Sequence, residues 1–419
     1  MQFFKWLYPG IGIKRWIVLC VLGLGLVILV GLAAVKTISK SSILLASFAT
    51  AILIFGIFLV YTAIKNMVRI FVRALMPFNR DGPLVDLVYQ RRQNESLSRG
   101  PRVVAVGGGT GLSTLLSGIK FYTSNITAIV TVTDTGGSSG RLRDEMDMLP
   151  PGDIRNCLVA LADAGPLIRD LFQYRFEVGE GLKGHSFGNL FISALSKVTG
   201  DFEKAVAESS KVLAIRGRVL PSTLEKVTLV GEFTDGTFLE GETNITDAQK
   251  PLRNIRLKPE NCRATTEAVD AIENADLIIL GPGSLYTSVL PNLLIQDIQT
   301  AILKSDAYKA YVANVMTQPG ETDNFSVWDH LRVLIEHTDP RIMQACFVNT
   351  ANIPPEMVDK YRDKGADRVE LDLDKIRSKG YEIIEGDLLN IDGQVRHNPE
   401  NLARLIFDHY FKVVKLIRV

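Results

Sequence analysis

The 419-residue chain has four cysteines, Cys20, Cys157, Cys262 and Cys346, and no two of them form a Cys-x-x-Cys pair. Cysteines scattered in this way suggest neither a disulfide framework nor a structural zinc site. Its five histidines are too dispersed to nominate a metal centre, so no metal ligand is assigned. No Gly-Lys-Ser/Thr follows any glycine-rich turn, which excludes a P-loop, and no Ser/His/Asp order with a nucleophile elbow is recognised. An overall charge bias is lacking too, since the formal net charge is +1. That balance hides two opposite halves. Residues 1–102 carry 13 Lys/Arg against 3 acidic residues, whereas the remainder carries 34 against 43. A basic head on an acidic body points to anionic lipid as the partner of the head, not to nucleic acid.

The head contains the long hydrophobic runs. Trp16–Val35 and Ile43–Ile64 are uncharged over 20 and 22 residues. Each is long enough to cross about 30 Å of hydrocarbon at about 1.5 Å per residue. Lys36–Ser42 joins them into a hairpin, and the second run argues against a cleaved signal peptide. Lys5, Lys14 and Arg15 precede the hairpin, and Lys65, Arg69, Arg73 and Arg80 follow it, against Lys36 and Lys40 between the spans. The positive-inside rule then places both termini and the rest of the chain in the cytoplasm. Lys65–Met76 interleaves bases with large apolar residues and reads as an amphipathic continuation on the inner leaflet. Residues 1–76 are thus the membrane unit, 77–101 a polar linker and 102–419 the soluble domain.

In the soluble domain, β-rich runs alternate with helical periodicity. Strands are expected over Arg102–Val106, Ile126–Val132, Lys226–Phe233, Asp276–Leu280, Lys309–Val315 and Ala345–Val348, and helices between them, as over Ser113–Phe121 and Val327–His337. This order predicts an α/β fold with a Rossmann-like, doubly wound, mostly parallel sheet. A hairpin insertion is expected around Asp235-Gly236.

Three strands end in glycine-rich turns. Gly107-Gly108-Gly109-Thr110-Gly111 follows the first, Asp134-Thr135-Gly136-Gly137-Ser138-Ser139-Gly140 the second, and Gly281-Pro282-Gly283-Ser284 a later one. Turns of this kind leave backbone N–H groups free for an anion, so a phosphorylated ligand along the sheet's C-terminal edge is expected. Leu112 stands where a dinucleotide fingerprint needs its third glycine, which disfavours an NAD-dependent oxidoreductase. Ser113 is either a hydroxyl donor or a helix N-cap. Asp134 could meet a ribose hydroxyl or close a turn, and Asp153 in Pro150-Pro151-Gly152-Asp153 could cap a helix or work with Arg155 and Asn156. Arg141 is a phosphate contact or a solvated helix start, and Arg143 reads as the latter. His185 and Asn189 sit where another helix begins. Asp153, Asn156 and His185 are the catalytic candidates.

Five motifs together, Gly107–Ser113, Gly136–Arg143, Pro150–Leu161, Gly281–Leu294 and Asn314–Thr322, closely resemble the YvcK-type gluconeogenesis factor family, relatives of the 2-phospho-L-lactate transferases. The resemblance implies a transferase-like Rossmann fold. It also implies a bacterial protein that binds a UDP-sugar such as UDP-N-acetylglucosamine and acts in cell shape, wall synthesis and carbon metabolism without settled catalysis. Ligand contacts carry over to the glycine turns, to Tyr361 as a stacking partner for uracil and to Arg396 for the diphosphate. Thr135 replaces a second aspartate usual in the family. A homo-oligomer and a cell-envelope protein partner are expected, and magnesium only if the chain is instead a transferase using a nucleotide-diphosphate donor.

Overall fold

The computed structural model describes residues 13–36, 43–75 and 95–417, which fall into two compact units, Met1–Gln93 and Asn94–Val419. The first holds the helices Ile13–Lys36 and Ile43–Leu75. Their apolar windows, Arg15–Ala33 and Ser47–Arg69, are long enough to cross a membrane. The two backbones meet where side chains vanish. A Cβ on Gly23 would lie 2.8 Å from the Gly56 carbonyl oxygen, and one on Gly56 would lie 3.0 Å from that of Gly23. Helices that pack without a strong hydrophobic drive approach through such small residues. The second helix runs on through the basic segment to Leu75. The residues joining the helices and most of the stretch read as a linker lie outside the described residues.

The second unit is built on a seven-stranded sheet. Chain order gives β1 (Val103–Gly107), β2 (Ile126–Val130), β3 (Arg218–Pro221), β4 (Thr228–Phe233), β5 (Phe238–Glu240), β6 (Leu252–Lys258), β7 (Leu277–Leu280), β8 (Tyr308–Val312), β9 (Ala345–Asn349), β10 (Glu382–Gly386), β11 (Leu389–Ile391) and β12 (Val395–His397). The sheet order is β10-β9-β8-β7-β1-β2-β3, and every neighbouring pair is parallel. Parallel strands are covered on both faces, which is why β1, β2, β7 and β9 are buried at every position.

The chain winds from β1 outward to β3 and then returns to the other side of β1 with β7. The reversal sets the turns after β1 and β7 side by side, the place where open α/β sheets bind ligands. The helix Gly109–Ile119 starts directly after β1 and buries Leu112, Leu115, Leu116 and Ile119 at helical spacing against the sheet. Each such side chain contributes roughly 1.5–3 kcal/mol relative to an exposed one. The C-terminal helix Pro399–Ile417 covers that helix, with Tyr122 and Phe407 stacked at 4.6 Å between ring centres.

The expected hairpin is present as β4 and β5, and β6 completes a separate antiparallel sheet. A helix, Glu242–Asp247, follows β5. The short pair β11 and β12 carries Arg396.

Candidate functional site

The turn after β1 is tight because its neighbours leave no room. A Cβ on Gly108 would lie 2.6 Å from the Asp153 carboxylate and 2.8 Å from a Thr131 methyl. Gly109 has φ +63°, a left-handed conformation that side chains disfavour, and its N–H donates to Asp153. One amide of the anion nest expected from the sequence is therefore already engaged by protein. The helix begins at Gly109, so Ser113 lies inside it and is not the cap; its hydroxyl donates to the Thr110 carbonyl at 2.9 Å.

The turn after β7 is held from below. Asn314 accepts from the Gly283 N–H at 3.2 Å and donates to the Gly283 carbonyl at 2.8 Å. Ser284 caps the π-helical turn Leu285–Val289, accepting from the Thr287 N–H, and donates its own hydroxyl to Glu321. Glu321 is almost wholly buried, and Thr287 at 3.1 Å, Gln318 at 2.7 Å and Thr246 at 3.3 Å also donate to it. Burial pushes its carboxyl above the usual range despite these donors.

These two turns form one wall of a cleft of about 510 Å³. Gly108, Gly109, Thr110, Gly111, Gly283 and Ser284 line it together with Tyr361 and Arg396, which come from far along the chain. Tyr361 is positioned from both ends. Its hydroxyl accepts from the Val395 N–H at 2.9 Å, while its ring packs on the small apolar cluster of Val315, Ile353 and Val395. Arg396 is exposed at the rim and bonds Gln394. Glu242, Asn314 and Lys364 also line the cleft. Sequence reading does not assign these three to the site: Glu242 and Lys364 are isolated charges without a pattern, and Asn314 enters it only as the start of the motif Asn314–Thr322.

The charge beneath the turns is negative. Asp153 keeps some accessible surface but is enclosed enough that its carboxyl is pushed up to about 6, by burial first and by Asp134 second, against the Gly109 N–H and Arg155. Glu242 is pushed up to about 8 by burial and then by Asp134, Asp153 and Glu321. At neutral pH Glu242 is therefore mostly protonated and can donate into the cleft. Asp153 is the second residue of helix Gly152–Leu161, whose N-cap is Pro151, so it does not act as a cap. Asp134 accepts from the Gly136 N–H at 2.8 Å, closing the second glycine turn. Among the described residues no three His, Cys, Asp or Glu side chains converge as metal ligands.

The second glycine turn faces a different environment. Gly137 starts the helix Gly137–Met146 with φ +46°. Ser138 lies 2.9 Å from His185 Nδ1 and accepts from the Asn189 amide at 3.0 Å, and Ser138, Ser139, His185 and Asn189 are all buried. The Gly136–Gly140 turn thus brings a serine to a histidine, which sequence reading did not foresee. Among the described residues no carboxylate hydrogen-bonds that ring, and burial holds its pKa down. Arg141 donates to the Lys183 carbonyl and Arg143 to the Val227 carbonyl, so both serve the fold. Asn156 accepts from Arg155 at 2.7 Å and lines a second cleft. Asp153, Asn156 and His185 are thus dispersed among three environments.

The comparisons with known proteins agree with this architecture. The family model described as 2-phospho-L-lactate transferase CofD matches residues 103–389. A putative gluconeogenesis factor of Clostridium acetobutylicum is 43% identical over 97% of this chain and 92% of its own length. The gluconeogenesis factor of Bacillus subtilis is 46% identical, over 74% of this chain and 98% of its own. A crystal structure of a Bacillus halodurans protein, 46% identical, superposes with a TM-score of 0.72 over 74% of this chain and all of its own. The chain belongs to the CofD-like gluconeogenesis factor family.

Proposed function

We propose that this member of the CofD-like gluconeogenesis factor family binds a UDP-sugar, UDP-N-acetylglucosamine in the first instance, and acts as a regulator rather than by turnover. The carrying observation is that a single cleft gathers the turns Gly108–Gly111 and Gly283–Ser284 with Tyr361 and Arg396. The tyrosine ring offers a stacking surface for uracil, and the guanidinium offers paired donors for a diphosphate. The remaining amides of the first turn and the protonated Glu242 carboxyl supply further donors. The apolar helices Ile13–Lys36 and Ile43–Leu75 support a tether at the inner leaflet, with the binding domain in the cytoplasm. A sensor held there reports nucleotide-sugar supply to a cell-envelope protein and so couples carbon metabolism to wall synthesis and cell shape.

The transferase reading draws on the family model alone. Thermal unfolding of the full chain in detergent, with UDP-N-acetylglucosamine, UDP, GDP or NADH and with or without magnesium, separates the two. A ligand at 100 times its dissociation constant adds about 2.7 kcal/mol. Magnesium-independent stabilisation by the UDP-sugar, with no product after long incubation, supports the regulator. Magnesium-dependent stabilisation by GDP alone overturns it in favour of a transferase.

A further inference from the structure

A second cleft, of about 580 Å³, lies on the neighbouring face of the helix Gly109–Ile119, between it and the helices Gly152–Leu161 and Pro166–Gln173. Its charge is one-sided. Lys120, Arg155, Arg169 and Arg396 line it, with Asp170 as the one acidic residue in the lining. Two of these cations are held in place by protein. Lys120 donates to the Ala160 and Ala162 carbonyls at 2.8 and 3.1 Å, and Arg155 donates to Ser186 and Asn156. These oxygens carry no formal charge, and the carboxylates that offset the two cations, Asp163 for Lys120 and Asp153 and Asp134 for Arg155, lie outside the lining. The Arg155 Nε is buried and has no hydrogen-bond partner among the described residues. Arg169 is half-buried, and its guanidinium makes no hydrogen bond or ion pair among the described residues; only its backbone N–H donates, to the Gly165 carbonyl.

The lining itself carries four cations against one carboxylate, so its field favours a multiply charged anion. Guanidinium groups favour phosphate over simple halides because their planar fork presents two N–H donors to two oxygens. The lining holds no aromatic ring and little apolar surface beyond Val159 and Ala160, so a nucleobase has no platform there. We propose that this second cleft binds a small phosphorylated metabolite, a phosphomonoester, beside the nucleotide-sugar cleft. Thr110 and Arg396 line both clefts, so the two ligands meet at a shared wall.

The test uses the full chain in detergent micelles, with inorganic phosphate and glycerol phosphate as probes and sodium chloride at matched ionic strength as control. Titration calorimetry reads affinity, and circular dichroism confirms the fold of each variant. Arg169→Gln is the primary variant, because Arg169 supports no other side chain. Saturable phosphate binding is expected, weakened about tenfold or more by Arg169→Gln and unchanged by Tyr361→Ala, whose site is in the other cleft. An effect that chloride reproduces, or a phosphate affinity that Arg169→Gln leaves intact, overturns the proposal. So does loss of phosphate binding in Tyr361→Ala alone, which would place the anion in the first cleft.

Discussion

Gly111 and Pro282 touch through backbone alone: a Cβ on Gly111 would stand 2.5 Å from the Pro282 carbonyl oxygen. This contact joins the turn after β1 to the turn after β7 and sets the width of the cleft wall. Gly111→Ala must push the two turns apart, and overpacking of this kind costs about 1–3 kcal/mol. Urea denaturation should show that loss together with weakened ligand binding.

Gly109→Ala should separate the two effects. The nearest heavy atom to the added Cβ is Ser288 Oγ at 3.6 Å, so nothing clashes. The cost is the left-handed backbone at φ +63°, about 1–2 kcal/mol. Stability should fall modestly, while the methyl group, placed where phosphate approaches, weakens UDP-sugar affinity more than Gly111→Ala does per unit of stability lost. Unchanged affinity would remove this turn from the site.

The Glu242 carboxyl, pushed up to about 8 from an ordinary value of 4.5, sets a pH dependence. Between those values the folded protein binds a proton that the unfolded chain has released, so stability falls as pH rises. The slope from this group reaches at most about 1.4 kcal/mol per pH unit. The stability this group contributes is full below the ordinary carboxyl range, and its loss is complete above about 8. Glu242→Gln should flatten the stability profile across pH 5–8 in chemical denaturation, and an unchanged slope would contradict the assignment.

In the N-terminal unit, Gly23→Leu should force the helices apart, since even a Cβ there meets the Gly56 carbonyl oxygen at 2.8 Å and a Val60 methyl at 2.8 Å. Spin labels at Leu22 and Ile57, both exposed, should report a longer and broader distance than in the parent hairpin. Gly25→Leu, where a Cβ meets nothing within 4 Å, should leave it unchanged.

Much of the fold is legible because its signals are local. The helix Val327–His337 ends where its residues say it should: Ser326 and Asp329 form a capping box, and His337 sits in the last turn. Glycine turns after apolar strands mark the sheet edge for the same reason. Elements of weak local pattern escaped. β3 is four residues long, with Arg218 at its start and Pro221 at its end, and β10 at the sheet edge reads Glu-Ile-Ile-Glu-Gly, with no period-2 alternation. The helix Gly137–Met146 opens with Gly-Ser-Ser-Gly, which composition assigns to a loop. The site was legible only in part, because its parts come from distant strands. Glu242 and Glu321 acquire meaning from burial, and burial is a property of the folded chain.

The central claim rests most directly on equilibrium binding of UDP-N-acetylglucosamine to the full chain, alongside Tyr361→Ala and Arg396→Ala. The account predicts saturable, magnesium-independent binding that each substitution weakens about tenfold or more, with the sugar nucleotide recovered intact. No binding to the parent protein, or equal binding to all three, would contradict it.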